Sequence, residues 1–431
     1  MSRDEILAAI QTLLTEQMAH PHMQGFAFEA RLNEDLYLDS VLILQILLNL
    51  ELEYNLAMPE EAIASQDLET VADLVGLYLP KLAVPAFPMT GGTTDEGVHG
   101  EAYYDIKVHC FVSCVCDGLK RNGLDQRPFY FGVWDVKFTV SDRFELLYHS
   151  PEIKQDFFRE WFTQLYTVPI REWYNPAKSK AENLETLIDL VENRRETGSV
   201  MVMLDMFHLP ERENKFNQNP FPHYLMLQKT ADPEKWFVHD PDYRWEGEID
   251  RKTVINAIMQ PTVGGGYVFD NALARNPAPE DLKAYFEACF VPDRNPIADA
   301  VRSIVTAHLE GYDGLTLADL TAAVRELPII AIRKYAYEHG FAFFWRALKL
   351  PASEFEAWCE EIEALFQALK NLHYSCMKLG QTGDRTHAAA VFQRLDEADR
   401  QEFRLKARLG EVFGLWCNHN VPVMPLKRVA G

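Results

Sequence analysis

Two places in the chain put a reactive side chain at the start of a predicted helix. The first is Asp39-Ser40, followed by VLILQILLNLELEYN. A serine there can carry a phosphate-linked group, because the free N–H groups and dipole of a helix N-terminus favour an anion. The same dipeptide also makes an ordinary N-cap. The second is His109-Cys110, which opens a predicted helix over residues 110–122. A helix N-terminus stabilises thiolate. Downstream, His223 starts the strand-like run HYLMLQ, and Asp240 follows WFVH. Cysteine, histidine and aspartate in those contexts suit a thiol nucleophile, its base, and the group that orients the base. His208 and His239 flank the same strands and are alternative bases. His239 alternates with Asp240, so the two should face opposite ways. Cys114 and Cys116 read as small core residues. His109 with the three cysteines is an alternative zinc set, but Cys-x3-Cys-x-Cys lacks a paired-ligand spacing, so no metal is expected.

The elements that must position these residues change character along the chain. Residues 3–17 have helical spacing, with Ile6, Ile10, Leu13 and Leu14 on one face. After the helix at 40–55, Pro59 can open a short helix, MPEEAIAS, and Asp67 can cap a last one over 67–79. Residues 80–101 are rich in Pro, Gly and Thr without periodicity, which reads as a linker between domains. Beyond it, 129–149 is aromatic and Val-rich and suggests strands. Residues 151–165 and 182–196 suggest helices. The runs 199–207, 223–229 and 236–240 suggest strands, and Gly264-Gly265-Gly266 a turn into another. From 279 onward nearly everything has helical spacing, with aromatic inner faces.

Composition narrows the function classes. The net charge is −22, and residues 1–82 hold 14 acidic and 3 basic side chains, −11 in all. Nucleic acid is an unsuitable partner for such a surface, whereas cationic molecules are compatible with it. The seven cysteines are odd in number and scattered, so no disulfide framework is expected. No apolar run is long enough to span a membrane, and the N-terminus lacks signal-peptide features. A cytoplasmic protein without membrane partners is therefore expected.

Residues 1–82 resemble acyl and peptidyl carrier domains. The segment from Leu36 to Leu44, LYLDSVLIL, is similar to their Asp-Ser-Leu motif, with Val41 in the leucine position. That resemblance implies an all-α four-helix bundle and a covalent 4'-phosphopantetheine arm on Ser40 beside Asp39. Its implied partners are a phosphopantetheinyl transferase and an adenylation enzyme that loads the arm. Residues 103–270 resemble the butirosin acyltransferase family. The matching features are HCFVSCVCDGLKRNGL followed by FYFGVWD, then Met203-Leu204-Asp205, Leu209-Pro210, a His-led strand and an Asp-Pro. Phe111 stands where that family often has glycine. This implies an α+β papain-like cysteine domain of bacteriocin-peptidase-like fold, with catalytic Cys110, His223 and Asp240. It also implies a carrier-bound thioester as donor and an amine as acceptor. Residues 1–82 and 102–431 are further similar to the separate carrier and condensing proteins of petrobactin-type siderophore pathways. That implies a dihydroxybenzoyl donor and a polyamine acceptor such as spermidine.

The expectation is a multidomain chain: a carrier at 1–82, a linker at 83–101, a papain-like acyltransferase domain at 102–278 and a helical region at 279–431. The helical region would cap the cleft or form a homodimer contact. Two other functions fit the same residues. One is a cysteine hydrolase, thioesterase or peptidase, with water as acceptor. The other is a non-catalytic carrier scaffold.

Overall fold

The computed structural model describes residues 1–18, 20–33, 35–38, 40–56, 68–79, 108–210, 212 and 219–421. The chain is a mixed helix-and-sheet, multidomain protein with a helical C-terminal region. Its N-terminal unit starts with α1 (Arg3–Thr12), capped by Ser2 in a reciprocal box with Glu5. A π turn over Leu13–Gln17 extends it. Then come α2 (Ser40–Tyr54) and α3 (Val71–Gly76). Ile6, Ile10, Leu13, Leu14, Leu47 and Leu74 are fully buried in this unit's own core. Asp39, the helix expected at MPEEAIAS, the Asp67 cap and the 83–101 linker lie outside the described residues. The last helix begins at Val71, later than expected. Its cap is Thr70, whose side chain accepts from the Asp73 N–H while Asp73 accepts from the Thr70 N–H.

The second unit is built on a sheet. A two-stranded ribbon pairs β1 (Thr139–Val140) with β2 (Leu146–Leu147). Six further strands are β3 (Arg171–Glu172), β4 (Gly198–Asp205), β5 (Pro222–Lys229), β6 (Lys235–Asp240), β7 (Trp245–Asp250) and β8 (Gly266–Asp270). They form one antiparallel sheet in the order β3-β8-β4-β5-β6-β7. Central β4 and β5 are buried along most of their length. That is why VMVMLD and PHYLML read as apolar runs rather than alternations. The helix α4 (Cys110–Arg121) packs on β5, with the Phe111 ring edge-on to Tyr224 at 5.8 Å and to Tyr267 at 5.3 Å. Helices α5 (Asp156–Tyr166), α6 (Lys180–Glu192) and α7 (Arg251–Ile258) complete this unit.

One expected strand region is different. Residues 127–132 form a 3-10 turn, and only 139–140 and 146–147 are strand. The aromatic run is there for burial. Phe131 stacks on Phe344, and Trp134 lies flat on Tyr337 at 4.9 Å. Aromatic enrichment reports a packed surface as much as a backbone shape. Strand β7 and helix α7 lie outside the sequence expectations, although WEGEID alternates inward Trp245, Gly247 and Ile249 with exposed acidic residues, as an edge strand does.

The C-terminal helices are α8 (Pro279–Cys289), α9 (Pro296–Glu310), α10 (Leu317–Ala323), α11 (Leu327–Ala331), α12 (Ala336–Leu348), α13 (Ala352–Thr382) and α14 (Ala388–Asn420). A 3-10 turn, Ile332–Tyr335, joins α11 to α12. The sheet and these helices share one continuous apolar core. Inside it, four charges are buried together. Lys334 reaches Asp135 at 2.8 Å and Glu402 at 2.5 Å, and Lys406 reaches Asp135 at 2.8 Å. The cluster pins the 332–335 turn to both the 127–136 segment and α14.

Removing one partner of a buried ion cluster leaves an uncompensated charge. Lys334→Met should therefore lower unfolding free energy by about 3–5 kcal/mol in urea titration. An unchanged midpoint would show that the cluster does not hold the turn.

Candidate functional site

The start of α4 is anchored before any reactive group is considered. The buried Asp242 carboxylate accepts from the His109 N–H at 3.2 Å and from the Ser113 hydroxyl at 2.6 Å. His109 is the cap, its ring Nδ1 accepting from the Val112 N–H at 3.4 Å. Burial, with the nearby Arg333 charge, holds the His109 ring well below the ordinary histidine pKa, so it stays a neutral acceptor. Cys110 is thereby set at the first residue of the helix, half-buried.

Adjacent strands supply the other two residues. His223, near the start of β5, meets Asp240, at the end of β6, through Nε2 and Oδ1 at 3.0 Å. The other Asp240 oxygen accepts from Arg212 at 2.8 Å, and the Tyr243 N–H donates to Oδ1 at 3.3 Å. Asp240 is fully buried, and His223 and Arg212 are nearly so. The Arg212 guanidinium also lies over the Trp245 ring at 4.3 Å. Cys110 lines the same small cavity as His223 and acts on its charge. Burial opposes charge on the ring, but the Asp240 charge and hydrogen bond, with the Cys110 contact, raise His223 well above the ordinary histidine value. For Asp240, burial acts upward, yet His223 and Arg212 hold it below the ordinary carboxylate value.

Cys110, His223 and Asp240 are thus brought together. The alternative histidines are not in that set. His239 is committed to Asp117 at 3.2 Å and Glu246 at 3.1 Å, and His208 packs edge-on to Phe207. Cys114 points at the Tyr224 carbonyl and Cys116 toward that of Gln126, both buried. Among the described residues no three His, Cys, Asp or Glu side chains converge as a metal site. Ser40 is the first residue of α2.

Sequence reasoning missed three residues here. Asp242 and Arg212 are two of them. The third is Arg333, in the 3-10 turn after α11. It lines a cavity of about 60 Å3 with Cys110, His223, Tyr148, Phe221 and Ile329. Nη2 lies 3.5 Å from the Tyr148 carbonyl, and Nη1 is buried without a hydrogen-bond partner among the described residues. Burial lowers its pKa to about 10, which leaves it charged at neutral pH. The signal was present: Arg333-Lys334 is a basic pair inside an otherwise apolar helical stretch. A thiol, a base held by a buried carboxylate, and a cation facing the same cavity can together attack a carbonyl and stabilise the resulting oxyanion.

The DUF6005 N-terminal domain matches residues 105–274, and the DUF6005 C-terminal domain matches residues 280–426. Petrobactin synthase of Bacillus anthracis is 40% identical over 312 residues, 72% of this chain and 95% of that protein. Acyl carrier protein AsbD of the same organism is 32% identical over 75 residues, 17% of this chain and 82% of that protein. No helix among the described residues is long and apolar enough to cross a membrane.

The His223–Asp240 pair has a pH signature. Because His223 is raised, its contribution to stability is full below the unfolded histidine value, about 6.5, and is lost as pH rises through the folded value. Asp240 is lowered, so its share is present above the unfolded carboxylate value and is lost as pH falls through the folded one. The destabilisation caused by His223→Gln, measured by urea unfolding, should therefore be greatest from about pH 5 to 6.5 and shrink at higher pH. A cost that does not vary with pH would mean that the histidine is neutral throughout.

Proposed function

The chain belongs to the DUF6005 family and is a homologue of petrobactin synthase, and from that premise we propose that it is a carrier-fused, amide-forming acyltransferase of siderophore biosynthesis. The observation that carries the reading is the buried Arg212–Asp240–His223 chain, with His223 lining one cavity with Cys110 at a helix N-terminus. The order of these residues, with the antiparallel sheet beside α4, supports a papain-like cysteine domain. The likeness to AsbD and the apolar core of 1–79 support a carrier bundle ahead of it.

The residues present fit a phosphopantetheine group. Ser40 begins a helix of 15 residues, where first-turn N–H groups lack intrahelical partners and attract a phosphate. Bound there, the arm supplies the acyl group as a thioester, after a phosphopantetheinyl transferase has attached it and an adenylation enzyme has loaded it. The chain's own residues do the rest. The Cys110 proton rests on His223, whose raised pKa favours the imidazolium beside Asp240, and the thiolate attacks the acyl carbonyl. Arg333 faces the negative oxygen of the tetrahedral state. His223 would return its proton to the departing thiol of the arm, which would leave the acyl group on Cys110. An incoming amine attacks that carbonyl and loses a proton to His223, and Cys110 departs as thiolate. A dihydroxybenzoyl group and a polyamine such as spermidine are the donor and acceptor that this reading names. An intervening segment of 28 residues, 80–107, reaches at most roughly 100 Å, so donor and thiol stay at high local concentration.

Intact mass tests the first half: co-expression with a transferase should add the arm to wild type and not to Ser40→Ala. Acyl transfer from the loaded chain to candidate amines tests the second. Cys110→Ala and His223→Ala should each lower it at least about 10²-fold. Full activity in both variants defeats the mechanism, and free acid released at the same rate without amine would make the protein a hydrolase. Arg333→Ala should lower kcat about 10²- to 10³-fold with little change in KM for the amine, and Arg333→Lys should recover part of it. A loss confined to KM would remove Arg333 from the transition state.

A further inference from the structure

Away from Cys110, one contact joins the N-terminal unit to the C-terminal helices. Near the end of α2, Glu51 accepts from Lys378 at 2.5 Å and from the Tyr374 hydroxyl. Tyr374 is 6% exposed and Met377 is 2% exposed, and both pack into the apolar core of the N-terminal unit. Helix α13 therefore lends side chains to another unit's core, which a grazing surface contact does not do. Burial acts to raise Glu51, but hydrogen bonds from Lys378 and Tyr374, the Lys378 charge and a smaller one from His387 hold it below the ordinary carboxylate value. Tyr78, at the end of the N-terminal unit, packs against the same core, and the charge of Arg394 on α14 acts on Tyr374.

The location is informative. Glu51 follows Ser40 by eleven residues on one helix, which is roughly 16 Å. The grip is thus on the end of α2 remote from the attachment point. On α13, the level of the Cys110 cavity is marked by Phe366 and Glu363, which meet Tyr335 of the turn that carries Arg333. Tyr374 lies two turns further on, roughly 12 Å. The turn and α11 stand between α13 and the cavity, with Ile329, Ile332 and Arg333 forming its wall.

We infer that the Tyr374–Met377–Lys378 face of α13 is a resting dock for the chain's own carrier unit, gripped through Glu51 between transfers; the inference rests on the carrier reading above. The contact is of a releasable kind. It has one part-exposed ion pair, with side chains 22% and 24% exposed, one hydrogen bond from Tyr374, and two buried side chains, Tyr374 and Met377, which is a small patch beside the full core of either unit. The 80–107 tether keeps such a weak contact occupied within one chain.

Zero-length carbodiimide coupling of the dilute full-length protein tests this without acylation. Wild type should give a Glu51–Lys378 isopeptide in the monomer band, identified by mass spectrometry of digested peptides. Lys378→Met should not. The double exchange Glu51→Lys with Lys378→Glu should restore a linkage between the same positions. Absence of the wild-type linkage, or its presence only in a dimer band, overturns the dock within one chain. Locked wild type should then lose transfer from its own loaded arm at least tenfold relative to equally treated Lys378→Met, while Cys110 alkylation by iodoacetamide stays equal in both. Undiminished transfer by the locked protein overturns the resting role. Because the linkage forms without any acyl donor, failure of the acyltransferase reading would leave it intact.

Discussion

A carboxylate with no exposure to water must be matched by cationic or hydrogen-bond donors, and Asp240 organises the site on that requirement. Arg212 takes one oxygen, and His223 and the Tyr243 N–H take the other. Satisfying Asp240 therefore orients the imidazole that meets Cys110. The strand register makes this possible. Met226 pairs with His239, and the same register carried one step on sets Leu225 opposite Asp240. His223, two residues back from Leu225, then shares its face with Asp240. A one-residue slip would move His223 to the other face and leave Asp240 without its ring partner. The same alternation explains why His239, adjacent in sequence, pairs with Asp117 and Glu246 instead.

Much of this was legible in the sequence. Cys110 at a helix start, His223 on one strand and Asp240 ending the next are local features, and local context identified them. The helices at 3–12, 40–54 and 110–121 followed from periodicity, and strands β4, β5 and β6 from their short apolar runs. What failed had a common cause. The partners of the site, Arg212, Asp242 and Arg333, are polar residues whose neighbours are distant in sequence: Arg333 lies 223 positions after Cys110. Periodicity carries no information about such pairings. The aromatic segment after Arg127 misled for a related reason, since its rings pack against helices two hundred residues away rather than against a neighbouring strand.

The helical region is therefore part of the site's construction. It shares the sheet's core, and the 332–335 turn places Arg333 at the Cys110 cavity. Lys334, the next residue, is locked in the opposite direction by Asp135 and Glu402. Successive residues of one short turn thus serve two ends. Lys334 is fully paired in the core, and Arg333 keeps a nitrogen without a partner among the described residues in the cavity that Cys110 lines. A buried cation left partly unsatisfied is costly, and its neighbour's ion cluster is what makes that position sustainable.

The chain handles charge differently at its two kinds of junction. Breaking a buried pair such as Lys334–Glu402 costs about 3–5 kcal/mol, so that junction stays closed on the timescale of a reaction. A part-exposed ion pair such as Glu51–Lys378 is itself worth about 0–1 kcal/mol, at most roughly a fivefold bias in population. The acyl-transfer reading requires both behaviours. The thiol, its base and the cation at the carbonyl must hold their relative positions to within a fraction of an ångström for attack to succeed. The unit that brings the acyl group must come and go once in every cycle. A buried four-charge cluster at the first junction, against one part-exposed ion pair and two side chains at the second, fits that division.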